Sequence, residues 1–270
     1  MSGTHPHSPE GCARVCDHPS GTSARGITTC PSPTMEQRLS AMRYELNRLD
    51  IALARFPNHP HHSVRHLAIK DEVLRAGGRS VLVLGCGKGI VEYLLPHGLS
   101  CTSVDIDPKE IEAAKELNRF LRGRCFMVGD IYNLPFARKF QTVIISEVIE
   151  HLGDDRGALL TAIECLEPNG VFILTVPNRL RFHNWLLRLF GREPFLMTPE
   201  HVREYTAPET KALLHAMGFD VLKHRGIWFE FPRPFAVEKI ISPYSLIRSL
   251  LATLFPRWAT YLLFVCRARG

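Results

Sequence analysis

The 270-residue chain has no uninterrupted apolar stretch approaching the ~20 residues that a membrane-spanning helix needs. No apolar run follows Met1, so a secretory signal is not expected. Disulfide-framework spacing is missing as well. Of the 8 cysteines, Cys86, Cys101, Cys125, Cys165 and Cys266 are scattered through apolar or strand-like stretches, as buried thiols of a reducing, cytoplasmic compartment would be. Cys12, Cys16 and Cys30, with His5, His7 and His18 nearby, match no paired zinc-ligand pattern. Charge imbalance is lacking through residues 1–178, which hold 19 Lys/Arg against 20 Asp/Glu. It appears only in residues 179–270, with 14 against 7. That basic third suits phosphate, anionic lipid, an acidic substrate or simply water. At 45% hydrophobic and 22% charged, the composition excludes wholesale disorder. The length suits one large α/β domain with appendages.

Residues 1–34 are Pro-, Ser- and Gly-rich without apolar periodicity, the pattern of a disordered leader. Residues 35–78 read as a helical cap. Leu39, Met42, Leu46, Leu49 and Leu53 recur at helical spacing, and a second helix over 62–76 is closed by Gly77 and Gly78. From residue 79 the pattern alternates. Strands are expected at 80–84, 100–105, 124–128, 142–146 and 171–176, with helices near 89–96, 108–121 and 155–167 between them. Such alternation predicts a doubly wound α/β fold whose ligands bind at the carboxyl ends of the strands. A helix at 206–217 and strands at 219–225 and 261–267 follow. Two apolar insertions, 179–200 and 231–258, interrupt this part; the first carries a short amphipathic helix.

Chemistry-bearing residues fall at the strand ends. The first strand runs into Gly85-Cys86-Gly87-Lys88-Gly89, a turn in which the backbone can approach a ligand closely. The dinucleotide fingerprint would need a glycine at Ile90 and does not find one. Asp105 closes the second strand, where a carboxylate can accept from ribose hydroxyls. Asp130 follows the third, able to accept from an adenine amino group, with Ile106 and Ile131 offering apolar faces to the ring. The fourth ends in Ser146-Glu147-Val148-Ile149-Glu150-His151, two carboxylates and an imidazole within five residues. Glu and His ligands suit Mg, Mn or Zn, or the same groups can handle a proton.

The segments VLVLGCGKG, SVDIDP, VGDIYNLPF, FQTVIISEVIEHL and LEPNGVFILTVPN, in this order and spacing over about 80–178, resemble class I S-adenosylmethionine-dependent methyltransferases. Residues 201–220 resemble the helix that follows the core in the ubiquinone-biosynthesis O-methyltransferases. The resemblance implies a seven-stranded, mostly parallel sheet of order 3-2-1-4-5-7-6 with an antiparallel last strand. It also implies Gly85, Gly87 and Gly89 around the methionine portion of the cofactor, Asp105 at the ribose and Asp130 at the adenine; Ile106, Ile131 and Ser146 are expected to complete the cofactor site. E-x-x-E-H at 147–151 is similar to the metal-ligand segment of ubiquinone O-methyltransferases and of small-RNA 3′-terminal 2′-O-methyltransferases, with His201 at the position of a further ligand. Two roles therefore stand. Glu147, Glu150, His151 and His201 hold a divalent cation, or His151 is a general base oriented by Glu147 or Glu150.

The expected activity is O-methylation of a small apolar or lipid-like acceptor, with 179–200 and 231–258 shaping its pocket or touching a membrane surface. Lys239, Arg248 and Arg257 among the apolar residues of 231–258 fit an interface above anionic lipid. An RNA 2′-O-methyltransferase and a non-catalytic cofactor-binding partner are the alternatives.

Overall fold

The computed structural model describes residues 60–136, 138–231 and 246–269. The leader, the helix expected near 39–53, the cysteines before residue 31 and the middle of the second insertion lie outside them.

The continuous apolar run of β1 (Ser80–Leu84) is buried on both faces at the centre of a seven-stranded sheet. It pairs in parallel with β2 (Ser100–Asp105) on one side and β4 (Phe140–Ser146) on the other. β3 (Arg124–Val128) forms one edge beyond β2. Past β4 lie β5 (Leu166–Pro177), β7 (Tyr261–Ala268) and β6 (Phe219–Ile227), giving the order 3-2-1-4-5-7-6. β7 runs antiparallel to both neighbours. This is the topology the motif resemblance implies. Each alternating segment falls where the period change places it, though β5 starts earlier than expected. Leu166 already pairs with Phe140, and a register shift lets the strand continue into the apolar run at Val171.

Helices cover both faces. α1 (Pro60–Ala76), α2 (Ile90–Leu94), α3 (Pro108–Asn118), α4 (Asp155–Glu164), α5 (Phe182–Leu189), α6 (Ala207–Ala216) and α7 (Leu246–Leu254) follow in chain order. Their starts are legible in local chemistry. Asp107 caps α3 by accepting from Lys109 N–H with Pro108 at the first turn, and Thr206 with Glu209 forms a reciprocal capping box on α6. One apolar layer sets Leu82, Leu84, Val143 and Ile145 against α4 and α6; the other sets Val81, Val83, Ile144 and Ile173 against Ile69 and Val73 of α1.

Four cysteines, Cys86, Cys101, Cys165 and Cys266, are free thiols as expected. Cys125 departs from that expectation: half-buried on edge strand β3, it is disulfide-bonded.

The apolar insertions do not shape the central cavity through their described residues. They pack on each other instead. Phe182 and Trp185 of α5 meet Trp258 and Phe229 at ring separations of 4.9–6.2 Å. Arg248 is not a solvent-facing cation either. It is buried, donates to the Phe229 carbonyl at 3.1 Å and lies over the Trp228 ring.

Candidate active site

The ends of β1, β2, β3 and β4 open on a cavity of about 590 Å³ beside the point where strand order reverses. Gly85, Gly87, Asp105, Ile106, Asp130, Ile131, Ser146, Glu147 and His151 all line it. The loop after β1 is fixed from two sides. Gly87 N–H donates to Asp105 Oδ2 at 2.8 Å, while Asp107 N–H donates to Oδ1 at 3.0 Å. Gly85 sits at φ 74°, and a Cβ there would come within 2.3 Å of Val148 Cγ2. Gly89 differs from the expectation. Its missing Cβ faces Asn118 and Ala114 of α3, at 2.8 and 2.9 Å, so this glycine serves close helix packing rather than the cavity wall. At the far end Asp130 Oδ1 accepts from Tyr132 N–H at 3.0 Å, with Ile106 exposed at the rim.

No α-helix begins at Glu147. This residue takes a left-handed conformation, φ 55°, at a cost of about 1–3 kcal/mol for a residue with a Cβ, and only a single 3-10 turn, Ile149–His151, follows. Glu147 N–H donates to the Thr175 carbonyl at 3.1 Å, Thr175 Oγ1 donates to its carboxylate, and Arg65 Nη1 stands 3.4 Å from it. Burial pushes this carboxyl above the usual range against the pull of Arg65 and Thr175.

The turn after Glu147 separates it from a second group. Glu150, His151 and His201 each bring one ligand atom within 4.8 Å of the others. Glu147 is not part of that set, so the four-residue cluster expected from sequence becomes three. The Glu150 side chain is fully buried and neither carboxylate oxygen has a hydrogen-bond partner. Burial, reinforced by Glu147, pushes its carboxyl well above the usual range. Such an orphaned acceptor pair is costly unless a cation or proton fills it. His151 is exposed on the cavity wall; His201 is buried behind it, the ring centroids 4.7 Å apart. His201 reaches this place because Val202 N–H donates to the Glu150 carbonyl at 2.8 Å, and Tyr205 and Arg203 both engage Asp155.

The opposite wall was missed from sequence. α1 contributes His62, Arg65 and His66, at i, i+3 and i+4 spacing on one face, a signal present in HHSVRH but read only as a helix. Arg65 is buried, its Nε has no partner, and its guanidinium lies 5.0 Å from the Tyr261 ring centroid. Burial, reinforced by the neighbouring Arg65, holds His66 well below the ordinary imidazole range. His183 and Trp185, by contrast, lie away from the cavity, His183 edge-on to Phe195.

Comparison with known proteins bears on this arrangement. A protein named "probable S-adenosylmethionine-dependent methyltransferase" from Mycolicibacterium smegmatis is 32% identical over 155 residues, 57% of this chain and 57% of that one. The mitochondrial ubiquinone biosynthesis O-methyltransferase of Schizosaccharomyces pombe is 35% identical over 107 residues, 38% and 39% of the two chains. The chain thus spans about half the length of the curated relatives it matches. Magnesium protoporphyrin IX methyltransferase from Synechocystis PCC 6803, solved with bound SAH, superposes with a TM-score of 0.56 at 14% identity, covering 86% of this chain and 99% of that one, a likeness of fold. The family model for a methyltransferase domain matches residues 60–224, from α1 through β6, and so takes in every cavity-lining residue above. With sheet order, glycine loop and acidic strand ends all in their places, the chain belongs to the methyltransferase-domain family.

Proposed function

We propose that this protein is an S-adenosylmethionine-dependent O-methyltransferase acting on a small apolar or lipid-like acceptor. The observation that carries the reading is the single cavity wall on which Gly85, Gly87, Asp105 and Asp130 face Glu147 and His151. The volume and the donor set fit the cofactor. Asp105, fixed by Gly87, faces ribose hydroxyls; Asp130 and Ile131 fit the adenine; buried Arg65 supplies a cation for the carboxylate of the methionine end. Bound there, S-adenosylmethionine supplies an electrophilic methyl group on sulfur. The chain's own task is to place the acceptor in line, exclude water and take up the acceptor's proton.

The acceptor end of the cavity belongs to Glu147 and His151. His151 Nδ1 faces the Glu200 carbonyl at 3.3 Å, which assigns the proton to Nδ1 and leaves Nε2 as an electron-pair donor. Glu150, His151 and His201 would hold a divalent cation, whose contribution is to lower the pKa of an acceptor hydroxyl. The unpaired oxygens of Glu150 support that reading over a base acting alone. O-methylation is favoured because the matched relatives include ubiquinone biosynthesis O-methyltransferases.

A lipid-side acceptor is supported by apolar residues left outside the fold. Ile247, Leu250 and Leu254 of α7 and Leu189 and Phe190 at the end of α5 are all more than half exposed, with Arg188, Arg192 and Arg257 exposed near them in sequence. The test is turnover with labelled S-adenosylmethionine against lipid extracts, phenols and RNA. Transfer to lipid or phenol that is abolished by chelation and restored by Mg, Mn or Zn is expected. Transfer to RNA alone, or turnover indifferent to chelation, would overturn the acceptor or the cation respectively. His151→Ala is expected to lower the rate by about 10²-fold or more while leaving cofactor affinity nearly unchanged.

A further inference from the structure

Behind His201 lies a buried polar group that the mechanism above does not use. Glu204 has no exposed side-chain surface. Its Oε1 accepts from His201 Nδ1 at 3.1 Å and from Met197 N–H, and its Oε2 accepts from Arg181 Nη1 at 2.5 Å. Arg181, itself buried, donates through Nη2 to the Phe195 carbonyl at 2.6 Å and through Nη1 to the Asn178 carbonyl at 3.3 Å. Asn184 of α5 also donates to the Phe195 carbonyl. A carboxylate beside a guanidinium is an acceptor on both oxygens, so the proton of the His201 contact belongs to Nδ1.

We infer that Glu204 is a positioning residue that holds His201 in its Nδ1–H tautomer, so that Nε2 presents a lone pair beside Glu150 and His151. Arg181 supplies the compensating charge beside this buried carboxyl group. The same pair ties His201 to the segment from Asn178 to Met197, whose backbone supplies three of the partners. The imidazole of His151 is set the same way by a different acceptor, the Glu200 carbonyl. Two imidazoles, each with Nδ1 turned to an acceptor, then stand beside a carboxylate without a partner, one ligand atom of each within 4.8 Å of the others. A carboxylate on the far nitrogen of a ligating imidazole fixes its orientation and raises its basicity, and losing it typically lowers metal affinity 10–100-fold.

The consequence for cation affinity rests on the cation reading proposed above; the tautomer does not. The experiment therefore reads both. Long-range ¹H–¹⁵N correlation of ¹⁵N-histidine-labelled protein, with His201 assigned from its loss in His201→Asn, is expected to show Nδ1 protonated and Nε2 bare in the unaltered chain. In Glu204→Gln the oxygen of the amide is drawn to Arg181, its NH₂ faces His201, and the ring is expected to switch to Nε2–H. Calorimetric titration of Mn and Zn into the cofactor-product complex is expected to show a 10–100-fold loss of affinity in this variant, partly restored in Glu204→Asp, with S-adenosylhomocysteine affinity changed by less than about twofold. A tautomer switch with no cation binding by either protein would support the positioning role and reject the cation. An Nε2–H ring in the unaltered protein overturns the inference and needs no variant to be seen. An unchanged tautomer and unchanged cation affinity in Glu204→Gln would overturn it as well.

Discussion

Glu92 of α2 has no exposed surface; one carboxylate oxygen accepts from Ser103 Oγ at 2.6 Å and the other has no partner. Burial raises its pKa to about 7. Between the ordinary carboxyl range and that value the folded chain holds a proton that the unfolded chain has released. Stability therefore falls as pH rises through this window, by up to ~1.4 kcal/mol per unit, and is recovered on acidification toward pH 5. Glu92→Gln is expected to flatten that slope in denaturant titrations at pH 5 and 8; an unchanged slope would show that Glu92 ionises freely. At this scale the acidic strand ends, Asp105 and Asp130, were legible because each follows an apolar run directly. Arg65, Glu204 and Arg181 were not. Their roles depend on which distant carboxylate or imidazole they meet, and residue type along the chain does not carry that.

Whole elements were far more legible, since period and capping are local properties. The seven strands and the helices from α1 to α6 fall on their apolar patterns within a few residues. The turn at Glu147, by contrast, is set from a distance. The backbone there turns left-handed to meet the Thr175 carbonyl on β5, a long-range hydrogen bond that no helical spacing predicts. Two elements depend on single side chains. Arg124 of β3 donates to the carbonyls of Glu92, Leu95, Pro96 and Leu99, closing the end of α2 and the turn beyond it. Arg124→Ala leaves these carbonyls without that donor and is expected to lower stability by about 2–4 kcal/mol, read by chemical denaturation. Gly89→Ala places a Cβ against α3 at φ 69° and is expected to cost about 2–3 kcal/mol, with a weaker cofactor site as the glycine loop shifts. A loss below 0.5 kcal/mol would mean that α2 and α3 adjust freely.

Across the whole molecule, the exposed apolar residues of α7 and of the end of α5 sit on elements whose inner residues Phe182, Leu251 and Ala252 share one apolar cluster with Phe229 and Trp258, and these elements do not line the cavity. Among the described residues no helix is long and apolar enough to cross a bilayer, so contact with lipid would be interfacial. Leu250→Ser with Leu254→Ser changes exposed side chains while keeping buried Arg248 and Ala252, and is expected to reduce co-sedimentation with anionic vesicles severalfold. Equal partitioning of both proteins would remove the membrane surface from the account. The central claim, however, concerns the cavity at the strand ends. Calorimetry of S-adenosylhomocysteine binding to the full chain and to Asp105→Ala tests it most directly. Micromolar-range binding lost in the variant is the predicted result; tight binding of NAD with no binding of S-adenosylmethionine or its product would contradict it.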